Sequence, residues 1–176
     1  PEVHVAAECM PAVDDFRRTA ERLFLTPTRL LGSFYEASLT NSNPILHTGR
    51  LFSMWGHYDG RTWERPILFY TEWTDEASQL LIDMDAEFMR LLDVLPMQGH
   101  RIPTLLSYYE STDAPSLTAK ISSIAAFQTI TAPMRPTPNG WVPDVASRYF
   151  TEDFPFGLRF IKELAAEHGV PTPVID

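Results

Sequence analysis

The chain has 176 residues, of which 44% are hydrophobic and 12% aromatic, so it is long enough to bury one sizeable core. Its net charge is −9 and its 14 basic residues follow no single face, which argues against a nucleic-acid partner. No apolar run approaches the ~20 residues of a membrane helix, and the single cysteine, Cys9, fits a reducing compartment. We therefore expect a cytoplasmic protein without a membrane partner.

The first eight residues alternate between polar and apolar side chains, as a short strand does. No β-rich segment follows closely enough to pair with it. We interpret residues 1–10 as the end of a linker or strand from a preceding domain, although removal of a tag would also leave a chain that begins at Pro1. Residues 11–176 are then one α-helical domain.

Apolar residues recur at three- and four-residue steps beyond Pro11, which predicts an all-α fold of six or seven helices. The expected helices cover residues 11–26, 44–55, 74–95, 103–109, 116–127, 144–149 and 156–167. Residues 33–39 form a further apolar run, and residues 67–70 suit either a strand or a loop. Residues 131–143 contain four prolines and an Asn-Gly pair, which we interpret as a loop.

The glycines are spaced too far apart for phosphate binding. All eight are isolated, so neither a Gly-x-Gly-x-x-Gly fingerprint nor a P-loop is present. His-Glu-x-x-His and paired-cysteine spacings are also missing, and we expect no metal site. This chain by itself has no recognisable binding motif for a dinucleotide pyrophosphate.

Two sequence blocks carry a family resemblance. The first is Asn-Pro-Ile-Leu-His-Thr-Gly at residues 43–49, and the second is Ser-Arg-Tyr-Phe-Thr-Glu-Asp-Phe-Pro-Phe-Gly-Leu at residues 147–158. Together they resemble the opine dehydrogenases of the octopine and nopaline type, over most of the chain from about residue 39. The resemblance implies the α-helical substrate domain of such an enzyme, of the 6-phosphogluconate-dehydrogenase-like C-terminal type, without its Rossmann partner domain.

The resemblance also implies roles for four residues. His47 is the acid/base, Asp153 pairs with it, Arg148 binds the substrate carboxylate, and Asn43 belongs to the same substrate-binding set. A lone histidine on a helix is more often structural, and an Arg–Asp pair before a helix is more often a surface ion pair. Glu152 remains an alternative partner for the histidine.

Aromatic residues between the two blocks suit either a substrate pocket or ordinary packing. They are Trp55, Tyr58, Trp63, Phe69, Tyr70 and Trp73. No individual role is assigned to any of them.

The implied reaction is the NAD(P)H-dependent reductive condensation of an amino acid with a 2-oxo acid such as pyruvate. The cofactor, NAD(H) or NADP(H), is bound mainly by the absent Rossmann domain, so this chain alone is expected to be inactive. One alternative is the substrate domain of a hydroxyacid or ketopantoate-type reductase. Another is a non-catalytic helical module that binds a small acid or a protein. The acidic helices suit a homodimer as well as a monomer.

Overall fold

Helices form most of the computed structural model, which describes residues 2–97 and 102–176. The α-helices are α1 (Val13–Phe24), α2 (Phe34–Leu39), α3 (Asn43–Trp55), α4 (Asp75–Val94), α5 (Leu105–Tyr108), α6 (Ala114–Ser123) and α7 (Arg159–Glu167). A π-helix, Tyr149–Leu158, leads directly into α7, and a 3₁₀ turn, Ala125–Phe127, follows α6. The predicted mainly helical fold is confirmed.

Two small sheets accompany the helices. Strand β1 (Val3–Val5) pairs in parallel with β2 (Thr28–Leu30), so that Val3 lies opposite Thr28. The expectation that the first segment has no partner was therefore wrong. The partner strand is only three residues long, which is too short for its alternation to stand out in the sequence.

The second sheet is a hairpin within the segment that was predicted to be a loop. Strand β3 (Met134–Thr137) pairs antiparallel with β4 (Gly140–Pro143), and the two-residue connection ends at Gly140, whose φ is +125°. Prolines inside a strand normally argue against it. The ribbon accepts Pro136 because this residue lies opposite Trp141, whose N–H and carbonyl bond to Trp63 and not to β3, so the missing amide hydrogen of Pro136 removes no bond between the two strands.

Several helix boundaries also differ from the prediction, and two of the differences have a clear local cause. Helix α6 begins at Ala114 because Asp113 and Ser116 form a capping box, with Pro115 in the first turn where its missing N–H costs little. The short helix predicted at residues 144–149 was wrong. Residues 145–147 form a turn there, and the π-helix begins at Tyr149.

The chain divides into two compact units, Pro1–Asn41 with Leu92–Ile102 and Ser42–Leu91 with Pro103–Asp176. In the second unit, α4 buries an apolar face that includes Leu81 and Met84. Helix α3 approaches this face closely, since a Cβ at Gly49 would lie 2.7 Å from Leu81 Cδ1. Glycine at this position is therefore what permits the close packing of α3 on α4.

The C-terminal segment of the second unit is fixed to α4 by one buried carboxylate. Glu87, 2% exposed, accepts hydrogen bonds from the backbone N–H of Val174 (3.0 and 3.2 Å) and of Ile175 (3.0 Å). The side chain therefore satisfies two amides that no secondary structure satisfies.

Replacing Glu87 with alanine is expected to lower the free energy of unfolding by about 2–4 kcal/mol, because two amides lose their acceptor. Urea denaturation followed by circular dichroism measures this loss. Asp83→Ala, which removes an exposed carboxylate from the same helix, is the matched control and should change stability by less than about 0.5 kcal/mol. Equal effects of the two substitutions would contradict the assigned role of Glu87.

Across the described ranges, 2–97 and 102–176, none of the helices combines the length and the apolar character needed to cross a membrane.

Candidate active site

His47 is carried by α3, in the second turn of that helix. The helix begins at Asn43, one residue earlier than the predicted start at Pro44, and Ser42 precedes it without a side-chain cap. Pro44 lies in the first turn, where an amide hydrogen has no intrahelical partner to lose. Because Ile45 and Leu46 are buried, the orientation of α3 is fixed, and His47 lies next to the core with 12% of its side chain exposed.

Asp153 is carried by the π-helix. A π-helix bonds residue i to residue i+5, so residues five apart lie on successive turns of one face. In an α-helix they would be rotated by about 140° from each other. Arg148 immediately precedes the π-helix and therefore lies outside this bonding pattern.

The π-helix packs on α3 through a close contact near the start of that helix. A Cβ at Gly157 would lie 2.8 Å from Cγ and 2.9 Å from Cβ of Pro44. Since a proline ring has little freedom to move away, any side chain at this position would separate the two helices that carry His47 and Asp153.

Gly157→Ala is therefore expected to destabilise the chain by about 1–3 kcal/mol through overpacking, despite the higher helix propensity of alanine. Urea denaturation measures the change. The control is Gly32→Ala, where the added Cβ meets only the Glu36 carboxylate oxygen at 3.8 Å. A Gly157 variant as stable as the Gly32 variant would show that the helices do not need this close approach.

The structure brings His47 and Asp153 into direct contact. His47 Nδ1 lies 2.8 Å from Asp153 Oδ2, and His47 Nε2 lies 3.0 Å from the Tyr70 hydroxyl. An ionised carboxylate only accepts hydrogen bonds, so Nδ1 carries the proton and donates to Asp153. Neutral His47 then presents a lone pair at Nε2, which accepts a hydrogen bond from Tyr70.

The pKa of His47 lies below its ordinary value of 6.5, chiefly because burial disfavours the cation, while the hydrogen bond and charge of Asp153 act in the opposite direction. The imidazole is therefore neutral at physiological pH. A neutral imidazole beside a carboxylate can take up a proton and have the resulting cation stabilised, which is the requirement for a general base.

Aromatic rings enclose the histidine. The Tyr149 ring centroid lies 4.6 Å from that of His47, and Phe69 contacts the imidazole edge-on at 5.9 Å. Burial raises the pKa of both Tyr70 and Tyr149, so both phenols keep their protons at neutral pH. The cluster thus excludes water from most of the imidazole surface.

A buried arginine holds the loop that contains Phe69 and Tyr70. Arg50, 3% exposed, donates from Nε to the Phe69 carbonyl (3.1 Å) and from a terminal nitrogen to the Glu72 carbonyl (2.5 Å). Its guanidinium also lies 5.2 Å from the centre of the Trp73 ring. Burial lowers the pKa of Arg50 to about 10, which leaves it charged at neutral pH.

Arg148 lies at the exposed start of the π-helix and does not join the histidine cluster. It makes a two-pronged ion pair with Glu152, at 2.9 and 2.8 Å, and 85% of its side chain is exposed. The structure therefore separates the two acidic neighbours, since Asp153 contacts His47 and Glu152 contacts Arg148. Asn43, the remaining predicted site residue, is exposed at the first position of α3.

Sequence reasoning did not assign a role to Tyr70. It appeared only within a group of aromatic residues, and its contact with His47 spans 23 residues of chain. No local pattern marks such a contact, because it depends on how the loop after α3 folds back.

A cleft of about 480 Å³ opens beside this cluster, between α3, α4, the π-helix and the C-terminal segment. Its lining is mainly apolar and includes Phe52, Met84, Phe154 and Val174, but not His47 or Asp153. This lining contains no cationic side chain that could bind the carboxylate of a substrate. We therefore place the candidate chemistry at the His47 cluster and not in the cleft.

In the part of the chain that the structure describes, no three His, Cys, Asp or Glu side chains are grouped to hold a metal ion.

Comparisons with known proteins agree with this helical architecture. Residues 30–176 match the family model described as NAD/NADP octopine/nopaline dehydrogenase, alpha-helical domain. Tauropine dehydrogenase of Arabella iricolor is 31% identical over 157 residues, which cover 82% of this chain and 40% of that protein. Opine dehydrogenase of Haliotis discus hannai is 27% identical and covers 98% of this chain and 45% of its own length.

Solved structures also show similarity to enzymes of this kind. Octopine dehydrogenase with NADH and L-arginine superposes with a TM-score of 0.77 at 25% identity, over 92% of this chain and 43% of that chain. Octopine dehydrogenase in complex with NADH and agmatine gives 0.74 at 26% identity, over 91% of this chain and 43% of that one. The chain spans less than half the length of these relatives. The chain belongs to the octopine/nopaline dehydrogenase family, whose α-helical domain it matches.

Proposed function

We propose that this chain is the substrate-binding and catalytic helical domain of an NAD(P)H-dependent opine dehydrogenase, which condenses an amino acid with a 2-oxo acid such as pyruvate. The observation that carries the proposal is the hydrogen bond between His47, whose side chain is 12% exposed, and Asp153 within a domain of this family. A related octopine dehydrogenase was solved with NADH and L-arginine, which is consistent with an amino-acid substrate.

The reaction needs several proton transfers. The amine of the amino acid loses a proton as it adds to the ketone carbon of the oxo acid, the alkoxide that forms takes up a proton from solvent, and the resulting alcohol then gains a second proton and leaves as water. The nicotinamide cofactor, when bound, supplies the hydride that reduces the imine to a secondary amine. One group that both accepts and donates a proton can serve both steps.

His47 is the group that we assign to these proton transfers. Its neutral form, favoured by burial, accepts the proton released by the amine, and Asp153 stabilises the imidazolium that forms. The imidazolium then donates the proton to the leaving hydroxyl. Asp153 also keeps the imidazole in the tautomer that presents Nε2.

Arg148 is assigned to the substrate carboxylate. Its planar guanidinium already makes two parallel hydrogen bonds with the carboxylate of Glu152, and a substrate carboxylate presents the same geometry. The substrate would replace Glu152 on an accessible side chain. Asn43, one helical turn before His47, is proposed to add an amide contact to the substrate.

The cofactor is proposed to be NAD(H) or NADP(H), held mainly by a Rossmann domain that precedes residues 11–176 in the parent protein, with residues 1–10 as the end of the connection. In the described ranges no glycine-rich turn opens a helix, so the groups that this chain contributes are those on the substrate side. We propose a cytoplasmic enzyme that acts as a monomer or a homodimer, and that this chain alone is inactive.

The test is NAD(P)H oxidation by the parent protein with a panel of amino acids, each with and without pyruvate or 2-oxoglutarate. Oxidation that requires both substrates, with the secondary amine detected by mass spectrometry, is the expected result. Oxidation with the oxo acid alone would replace the proposal with a simple reductase. Absence of oxidation in every combination would favour a binding module without chemistry.

A further inference from the structure

Both ring nitrogens of His47 take part in hydrogen bonds, so neither is free to exchange a proton directly with a substrate. Nδ1 donates to Asp153, and the Nε2 lone pair accepts a hydrogen bond from the Tyr70 hydroxyl at 3.0 Å. A neutral imidazole has one lone pair in the ring plane at Nε2. A substrate can therefore exchange a proton with Nε2 only through the Tyr70 hydroxyl or after that hydroxyl has moved away.

The Tyr70 ring has little freedom to move. It is 5% exposed and stacks on Phe127 at 4.4 Å between ring centroids, with an interplanar angle of 25°. The Trp73 ring lies nearly parallel to it, at 6.0 Å and 5°, and Phe69 contacts its edge at 4.9 Å. Rotation of the ring away from His47 would require these three aromatic neighbours to move as well.

The backbone of Tyr70 is held on both sides. The Phe69 N–H donates to the Ile130 carbonyl at 2.8 Å, and the Ala132 N–H donates to the Ile67 carbonyl at 2.8 Å. Arg50 holds the carbonyls of Phe69 and Glu72 from α3, the helix that also carries His47. The hydroxyl and the imidazole are therefore fixed relative to each other by one buried cation.

We propose that Tyr70 is a further catalytic residue, whose hydroxyl relays protons between the substrate and His47 Nε2. This inference rests on the proposed function. As the amine adds, its proton passes to the Tyr70 oxygen while the hydroxyl proton passes to Nε2, so that tyrosine stays neutral and His47 becomes the cation. In the water-loss step the same two transfers run in reverse, toward the departing hydroxyl.

Other features of the cluster support a concerted relay. Burial raises the pKa of Tyr70, which disfavours a tyrosinate intermediate and requires the two transfers to be coupled. Among the residues that the structure describes, the titratable groups that face His47 are Asp153 and Tyr149 from the π-helix and Tyr70 from the loop. Among these, Tyr70 is the one that contacts Nε2.

Tyr70→Phe removes the hydroxyl and keeps the stacked ring. In the imidazolium, Nε2–H donates to the tyrosine oxygen, and this charge-assisted bond is stronger than the bond made by the neutral form. We therefore expect the pKa of His47 to fall further in Tyr70→Phe, by about 0.5–1 unit. In the parent enzyme kcat should fall at least about tenfold with KM within about twofold, since a proton-transfer group is lost while the substrate-binding groups remain.

Two measurements test the relay. An NMR titration of the His47 ring nitrogens in the 176-residue chain reports the pKa and needs no activity, and steady-state kinetics of the parent enzyme report kcat and KM. Tyr109→Phe, which removes the hydroxyl of another tyrosine in the same unit, should leave the His47 titration unchanged.

An unshifted His47 titration in Tyr70→Phe, or a kcat within threefold of the unaltered enzyme, would overturn the relay. If the unaltered parent shows no oxidation that depends on both substrates, the proposed function fails. In that event the NMR titration still decides whether the Tyr70 hydroxyl is hydrogen-bonded to Nε2. Failure of the relay can therefore be distinguished from failure of the proposed function.

Discussion

Replacing His47 with alanine in the parent enzyme is expected to lower kcat by ~100-fold or more, because a positioned acid/base contributes at least this factor to proton-transfer steps. KM for both substrates should change little, since Arg148, the residue that we propose binds the substrate carboxylate, lies outside the histidine cluster. Steady-state oxidation of NAD(P)H with saturating amino acid and 2-oxo acid provides the measurement.

A second histidine provides the control for this substitution. His57 is exposed just beyond the end of α3, where its ring contacts only the edge of Phe52 among the described aromatic residues. His57→Ala should keep kcat within about twofold, as most surface substitutions do. If His47→Ala retained turnover within a few fold, His47 would not be the acid/base and the proposed mechanism would have to be abandoned.

Asp153→Asn is expected to lower kcat by about 100-fold, because an amide in place of the carboxylate no longer fixes the tautomer or stabilises the imidazolium. The substitution should also change the pH profile. In the folded chain Asp153 raises the pKa of His47 against the larger effect of burial. Without the carboxylate that pKa falls further, and the acid limb of the kcat/KM profile moves to lower pH.

The neighbouring carboxylate separates this effect from a general loss of negative charge. Glu152 pairs with Arg148 and does not contact His47. Glu152→Gln is therefore expected to alter KM for the carboxylate substrate while the acid limb keeps its position. A shift of that limb as large as in Asp153→Asn would mean that the charge of the π-helix as a whole, and not the Asp153 hydrogen bond, sets the pKa of His47.

Sequence alone predicted the helical class and the two blocks that hold the site. Helices α1, α3 and α4 follow strong apolar periodicities with recognisable ends, which is why their bounds were close to the prediction. The contact between His47 and Asp153, 106 residues apart, was expected because of the family resemblance and not because of any local pattern.

Other features had conflicting signals in the sequence or none at all. The β3–β4 hairpin was hidden by its prolines, although Asn139-Gly140 is a common hairpin signal. The π-helix has a period that apolar patterns of 3.6 residues do not describe, and Pro155 within it argues against any helix. The hydrogen bond between Tyr70 and His47 depends on tertiary packing, so it required coordinates.

The division into two compact units has a consequence for how such an enzyme can diversify. His47, Tyr70 and Asp153, together with Arg50, all lie in the unit made of Ser42–Leu91 and Pro103–Asp176. The residues proposed for proton transfer therefore share one compact unit, so substitutions within the first 41 residues are expected to leave the contacts among them in place. Exchange of that leading segment between relatives is expected to preserve the hydrogen bond between His47 and Asp153.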